Sequence, residues 1–376
     1  MLGNRGRYSN VGDLLISKNL VRLLRDRGTL LLQTDLVRAP SKSAWELVSL
    51  HWHLFRSALR GRLGANIRTT LVLPPGQSMG KSLADAPRVL SQLGYLALLR
   101  AVGIDVVVFG RGFYCRSFVN HLQESGISRL AKYYSLRDRV SVSDAQSKGI
   151  RNAFWFPDLS WFGYPTYEKH PRDRPRSSLV LSFRADTDEE RGMDRLSPII
   201  LERTGELIEE AIGLGLKRVV LVEHDRQDRA LWRAIEEKYS RQFSTLTTRR
   251  LTSPEQLPDI YGDAAIVVSN RLHSLLLGLQ WGASVVALIS ERCEQKVKNQ
   301  FRDMGLESQI VDLKQPSMSG VIVRALSAWD AIQDAVSAYS QTAERIAADT
   351  LLNVFPQSLS TKMTSSNPVP SRTTSH

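Results

Sequence analysis

The feature that most limits what this chain can fold into is the repeated hand-over from a short apolar run to a helical pattern. Thr69–Leu73 and Asp105–Phe109 read as buried strands, and Pro87–Val102 between them has helical periodicity. Arg151–Phe156 supplies another strand before Pro157 and Asp158. Further on, Leu179–Phe183 reads as a strand, Pro198–Ile212 as a helix closed by Gly213 and Gly215, and Arg218–Glu223 as a strand. Ser253, Pro254 and Glu255 form an N-cap with proline at the first helical position. Ala264–Ser269, Leu272–Trp281 (ended by Gly282) and Ser284–Ile289 then read as strand, helix and strand. Such alternation predicts an α/β fold with mainly parallel sheets.

The alternation is interrupted once. Residues 163–178 hold Pro165, Pro171 and Pro175 among charged and polar residues, with little to bury. Two Rossmann-like domains facing a cleft are therefore expected, at 1–162 and 179–354, joined by that linker. The last helix has room to pack back on the first domain. The 376 residues suit two domains at roughly 100–200 residues each. Residues 355–376, rich in Ser, Thr and Pro without an acidic residue, read as a disordered tail.

A net charge of +12 calls for anionic company: nucleic acid, a phosphorylated metabolite or an anionic membrane surface. The cations are scattered, and no zinc-finger, RNP or basic-heptad pattern accompanies them, which argues against nucleic acid. Cys115 and Cys293 are too far apart for a CxxC site and too few for a disulfide framework, as suits a reducing cytosol. The amino terminus lacks an apolar signal core. The longest apolar stretch, Ser274–Ser290, is broken by Gln280, Trp281 and Gly282, short of the ~20 residues of a membrane span. A soluble cytoplasmic protein is expected. Trp45–Leu63, with Trp45, Trp52, Arg56, Arg60 and Arg62, has the make-up of a helix lying on an anionic leaflet. An ordinary core helix with snorkelling arginines fits the same pattern.

Chemistry concentrates at strand ends. Arg271 and His273 sit where a buried strand hands over to a helix, where free backbone N–H groups and the helix dipole favour anions. Arginine adds a bidentate fork, and histidine a group that exchanges protons near neutral pH. A surface arginine beside a core histidine is the competing interpretation. Arg184 ends the strand after the linker, and His224 and Asp225 end the next one. If those strands are parallel neighbours, all five residues share one crevice. Asn10, Gly12 and Asp13 form a polar turn at a helix start, able to hold a ligand or simply to cap the helix. Gly76 to Lys81, with Gln77 and Ser78, is a small-residue turn without Walker A spacing.

Six motifs occur in order: YSNVGDLLI at 8–16, SLRDRVSVSDA at 135–145, FPDLSW at 156–161, LSFR at 181–184, EHDRQD at 223–228 and SNRLHSLLLGLQWGASVVALIS at 269–290. Together they resemble the polysaccharide pyruvyl transferase family over residues 8–306. The resemblance implies a fold similar to the B-type glycosyltransferases. It also implies transfer of the enolpyruvyl group of phosphoenolpyruvate onto two hydroxyls of a sugar in an exopolysaccharide or cell-envelope precursor, giving a pyruvate ketal and phosphate. The second domain would bind the donor, and the first would face a sugar or lipid-linked oligosaccharide acceptor at the inner side of the membrane. By position, His273 would be catalytic, with Arg184, Arg271, His224 and Lys296 on the donor. Asn10, Gly12, Asp13, Gln77, Ser78, Arg137 and Asp158 would be acceptor-side or structural. Phosphoenolpyruvate is a co-substrate, and neither cofactor nor metal is implied. The chain departs from the family at Pro74–Gly80, where relatives carry a run of glycines. The alternatives are a nucleotide-sugar-dependent glycosyltransferase and a non-catalytic glycan-assembly protein.

Overall fold

The computed structural model describes residues 11–25, 56, 69–73, 75–76, 82–115, 117–162, 176–184, 197–225, 228–290 and 295–355. Asn10, Gln77, Ser78, Cys293, the whole of 45–63 except Arg56, most of 163–178 and the tail after 355 lie outside the described residues.

Two parallel sheets form the frame. The first has strand order β1-β2-β3-β4, from Thr70–Leu73, Asp105–Arg111, Tyr133–Leu136 and Ala153–Trp155. The second has order β10-β9-β8-β5-β6-β7. Its strands are β5 Ser178–Ser182, β6 Arg218–Glu223, β7 Leu246–Arg250, β8 Ala264–Ser269, β9 Ser284–Ile289 and β10 Ile310–Asp312. Parallel strands need crossovers, and helices supply them. In the first sheet these are α2 Ala86–Ala101, α3 Phe118–Leu130 and α4 Arg139–Ser147. In the second they are α5 Ser197–Gly213, α6 Arg229–Tyr239, α7 Leu257–Tyr261, α8 Leu272–Gln280 and α9 Gln295–Asp303. Helices α10 Val321–Ser327 and α11 Trp329–Val354 close the chain, and α1 Val11–Arg25 opens it.

Side chains alternate across each strand, so each sheet packs on both faces. In the first, Val106 and Val108 meet Leu96, Leu99 and Ile127 of the crossover helices. On the other face, Val107 and Phe109 meet Leu20 and Leu24 of α1 with Ala347, Leu351 and Val354 of α11. In the second, Leu179, Leu181 and Val219 pack against α5 and α6. Val180, Val220 and Val267 face α7, α8 and α9.

Helices α1 and α11 each serve both sheets. Val11 and Leu15 of α1, and Val336 and Tyr339 of α11, lie in the core of the second sheet, while the opposite halves of both helices cover the first. The FPDLSW segment is the joint between them. Asn19 Nδ2 donates to the Leu159 carbonyl at 2.8 Å, and Gln280 Nε2 donates to the Ser160 carbonyl at 3.0 Å. Trp161, fully buried, packs edge-on against Tyr339 at 5.2 Å between ring centres.

Candidate functional site

The order of the second sheet decides where a ligand can enter. From β5 the chain winds outward to β6 and β7, then returns to build β8, β9 and β10 on the other side. The switch point lies between β5 and β8, and open parallel sheets bind ligands beyond the carboxyl ends of strands there. Strand β5 pairs in parallel with β6 on one side and β8 on the other. The carboxyl ends of β5, β6 and β8, carrying Arg184, His224 with Asp225, and Arg271 with His273, are therefore adjacent.

Polar side chains lock this junction. The Ser269 hydroxyl donates to the Ser182 carbonyl across the switch point and accepts the Arg271 backbone N–H at 2.9 Å. Asn270 grips the backbone of Arg184 from both sides: Oδ1 accepts its N–H at 2.7 Å, and Nδ2 donates to its carbonyl at 3.4 Å. Arg271 stands at the N-cap of α8, only 9% exposed, and its guanidinium is ion-paired to fully buried Asp228. Asp228 fixes one edge of that guanidinium. The Nε of Arg271 is buried with no hydrogen-bond partner among the described residues.

His224, expected among the donor-binding residues, is held inside the junction. It is 2% exposed, and its Nε2 lies 2.8 Å from Ser274 Oγ and 3.2 Å from the Tyr261 hydroxyl. Tyr261 donates to Ser274 at 3.2 Å, leaving the serine proton for the imidazole nitrogen. Burial first, then the positive charges of Arg271 and His273, hold its pKa well below the usual histidine value. A neutral ring accepting from Ser274 braces the first turn of α8 from below.

His273 occupies the second position of α8, and a second helix start meets it. A Cβ on Gly12 would fall 2.1 Å from His273 Nδ1, so the first turn of α1 lies directly against the imidazole. Two helix N-termini, each a partial positive charge, thus converge on this ring. Gly12, expected to be acceptor-side or structural, lies against His273. The backbone of Asp13 follows in the same turn. Lys296 lies in the first turn of α9, beyond the carboxyl end of β9, on the same sheet edge.

Arg137 and Asp158 come together at the carboxyl edge of the first sheet. Arg137 Nη1 is 3.7 Å from Asp158 Oδ2, and its Nη2 passes so close over Gly112 that a Cβ there would sit 3.2 Å from it. The next residue, Asp138, accepts from Asn299 Nδ2 of α9 at 3.0 Å. The helix that carries Lys296 is thereby tied to the segment that carries Arg137.

Four residues of this junction, Asp228, Asn270, Ser274 and Tyr261, are not candidates in the sequence. Asp228 lies inside EHDRQD, and Asn270 and Ser274 inside SNRLHS, and polarity beside a strand end is their available signal. Tyr261 has none, because it reaches the site only through the tertiary fold. Among the described residues, no group of three or more His, Cys, Asp or Glu side chains could hold a metal ion.

A family model described as polysaccharide pyruvyl transferase matches residues 10–291. No curated protein matches the chain. Among solved structures, the chain is similar to a UDP-GlcNAc 2-epimerase from Neisseria meningitidis bound to UDP-GlcNAc. The identity is 10%, with 93% of this chain and 98% of that one covered and a TM-score of 0.51. It is likewise similar to MnaA from S. aureus in a co-structure with UDP, at 10% identity, 91% and 94% coverage and a TM-score of 0.52. MurG from Acinetobacter baumannii is similar at 13% identity, 92% and 96% coverage and a TM-score of 0.42. The α/β architecture is that of the B-type glycosyltransferases and their epimerase relatives. With the model covering most of its length, the chain belongs to the polysaccharide pyruvyl transferase family.

Proposed function

We propose that this protein transfers the pyruvyl group of phosphoenolpyruvate onto two hydroxyls of a sugar, forming a cyclic ketal and releasing phosphate. The observation that carries this reading is the junction of two helix N-termini with Arg271 and His273 at the switch point of the second sheet. It concentrates fixed positive charge around a group able to exchange a proton near neutral pH.

Phosphoenolpyruvate presents a carboxylate and a phosphate, and Arg184, Arg271 and Lys296 supply cations for them. With Nη2 paired to Asp228, the Nε–H of Arg271, without a hydrogen-bond partner among the described residues, is the donor left for an oxyanion. Protonation of the methylene carbon by His273 makes a cationic centre at C2 that one sugar hydroxyl attacks. Loss of phosphate regenerates the cation, and the second hydroxyl closes the ketal. Of the two hydroxyl protons, one replaces the proton delivered to the methyl group and the other leaves with phosphate. His224 acts as a positioning residue through Ser274. Arg137 and Asp158 line the acceptor side, where a sugar or lipid-linked oligosaccharide would enter.

Purified protein is expected to release phosphate from phosphoenolpyruvate only with acceptor present. His273→Ala should abolish turnover. Arg271→Lys should mainly raise the KM for phosphoenolpyruvate, by roughly tenfold or more, since lysine lacks the planar fork. Full turnover by His273→Ala, or nucleotide release from a sugar donor instead of phosphate release, would overturn the proposal.

A further inference from the structure

We propose that the outer face of the layer formed by α2 and α3 is a docking surface for an anionic lipid bilayer. Helix α2 already spends one side on the core, where Val89, Leu96 and Leu99 are buried. Its opposite side is nevertheless apolar. Leu90 is 57% exposed and Leu98 61%, with exposed Gly94, Ala97 and Ala101 along the same side. Leu83, just before the helix, is 78% exposed, and Phe118 at the start of α3 is 73% exposed. These four account for half of the eight large hydrophobic side chains exposed among the described residues. Single exposed leucines are ordinary, whereas a cluster on one layer marks a contact surface.

The two helices form one surface. Gln123 donates to Gln92 at 2.6 Å, and Leu93 packs so closely on Gly126 that a Cβ there would lie 2.6 Å from its methyl carbons. Within the two helices the exposed charge is of one sign; beside them, Asp85 at the N-cap of α2 accepts the Ser82 backbone N–H at 3.0 Å, and Asp105 pairs with Arg100 at 2.7 Å. Helix α2 carries Arg88 and Arg100 and no acidic residue. Helix α3 carries exposed Arg129 and a single carboxylate, Glu124. Glu124 is fully buried, with both oxygens 3.0 Å from Arg111 Nε and one 2.6 Å from the Tyr134 hydroxyl. What these helices show outward is therefore leucine and phenylalanine bordered by cations. That combination matches the headgroup and acyl boundary of an anionic leaflet. A second copy of the chain fits less well, because a twofold contact would bring exposed Arg88 and Arg129 of both copies together with no exposed carboxylate on either helix to meet them.

The placement suits an enzyme of lipid-linked glycans. Leu83 and the start of α2 follow the carboxyl end of β1, the edge that also carries Arg137. Docking there would bring the acceptor side close to the lipid surface. Leucine and arginine on this face would bind a bilayer whatever reaction the cleft carries out.

The test is flotation of the full chain with vesicles of phosphatidylcholine alone or mixed with phosphatidylglycerol, which reads binding without turnover. Wild-type protein is expected to float with the mixed vesicles at low salt and to lose recovery as salt rises. The triple variant Leu83→Ser/Leu90→Ser/Leu98→Ser and the double variant Arg88→Gln/Arg129→Gln should each float roughly tenfold less, with an unchanged melting temperature. Wild-type protein that does not float with anionic vesicles, or a triple variant that floats as well as wild type, overturns the proposal. So does a wild-type dimer that the triple variant dissolves, since it would assign the face to a second copy. Loss of turnover with flotation intact would count against the pyruvyl transfer reading and leave this surface standing.

Discussion

Gly12 has no side chain because the ring of His273 fills the place one would need. Gly12→Ala is a mild change in an ordinary first helical turn, where alanine is the best helix former. Here its methyl group would overlap the imidazole, so either α1 retreats or His273 turns. The expected outcome is a fall in kcat of about a hundredfold or more, of the size that a misplacement near 1 Å produces. Steady-state kinetics at saturating phosphoenolpyruvate check this, and circular dichroism confirms that the fold persists. The same close approach explains why Gly12 was legible as important while its role was not. A polar Gly turn before an apolar helix looks the same whether it caps that helix or makes room for a distant histidine. Arg271 and His273 were legible because they follow a fully apolar strand, and Asp228 was hidden because its value lies in a partner 43 residues away.

Among the elements, α9 holds the two sheets in register. Asn299 reaches Asp138, and Asp303 accepts the Arg139 backbone N–H at 2.7 Å at the start of α4. Burial, and then repulsion from Asp138, push the Asp303 carboxyl up to about 6, against the hydrogen bond from Arg139 and the attraction of Arg139 and Arg302. The folded state therefore holds the Asp303 proton more tightly than the unfolded chain does. Its stabilising contribution is complete below the ordinary carboxylate value of about 4 and is lost as pH rises through about 6. Asparagine keeps the acceptor and never ionises. Asp303→Asn should be more stable than wild type at pH 8 and indistinguishable from it near pH 4, as read by denaturant titration at both. An unchanged difference across that range would refute the assignment.

The elements differed in how openly the sequence displayed them. β6, β8 and β9 fall at the expected residues, since each is a six-residue run bounded by turn or polar residues. β5 begins at Ser178, one residue earlier than its apolar run, because the buried serine hydroxyl donates to the Asp263 carbonyl at 2.8 Å. β3, β7 and β10 were not anticipated. β3 is four residues long and half tyrosine, and β7 is an edge strand that ends in two exposed arginines. Neither carries the continuous apolar signature that marks a strand buried on both faces. The N-cap at Ser253 is as expected, with Gln256 Oε1 accepting its backbone N–H at 3.1 Å.

On the scale of the molecule, α1 and α11 join what the sequence divides. Helix α11, 26 residues and roughly 39 Å long, begins on the second sheet and ends on the first. The two sheets should therefore lose structure together. Scanning calorimetry is expected to show one transition, with calorimetric and van't Hoff enthalpies equal. Leu351→Ala, which removes a buried contact of α11 with the first sheet, should cost about 2–5 kcal/mol and lower that single transition. Two separate transitions in wild-type protein would show that the bridging helices do not couple the sheets. In sequence the proline-rich stretch announces a division, while the sutures across it are ordinary amphipathic helices.

The position of α1 has a consequence for synthesis. Val11 and Leu15 are among the first described residues to leave the ribosome, yet they pack against Leu257, Ile260 and Leu272. At roughly 5–20 residues per second, those partners follow tens of seconds or less later. Through that interval Leu20 and Leu24 can already meet Val107 and Phe109, while the Val11–Leu15 end still lacks the second-sheet core it packs into, and Gly12 waits for a histidine not yet made. The contact of Gly12 with His273 is thus a late event in the making of each chain, formed only once the first helix meets the second sheet.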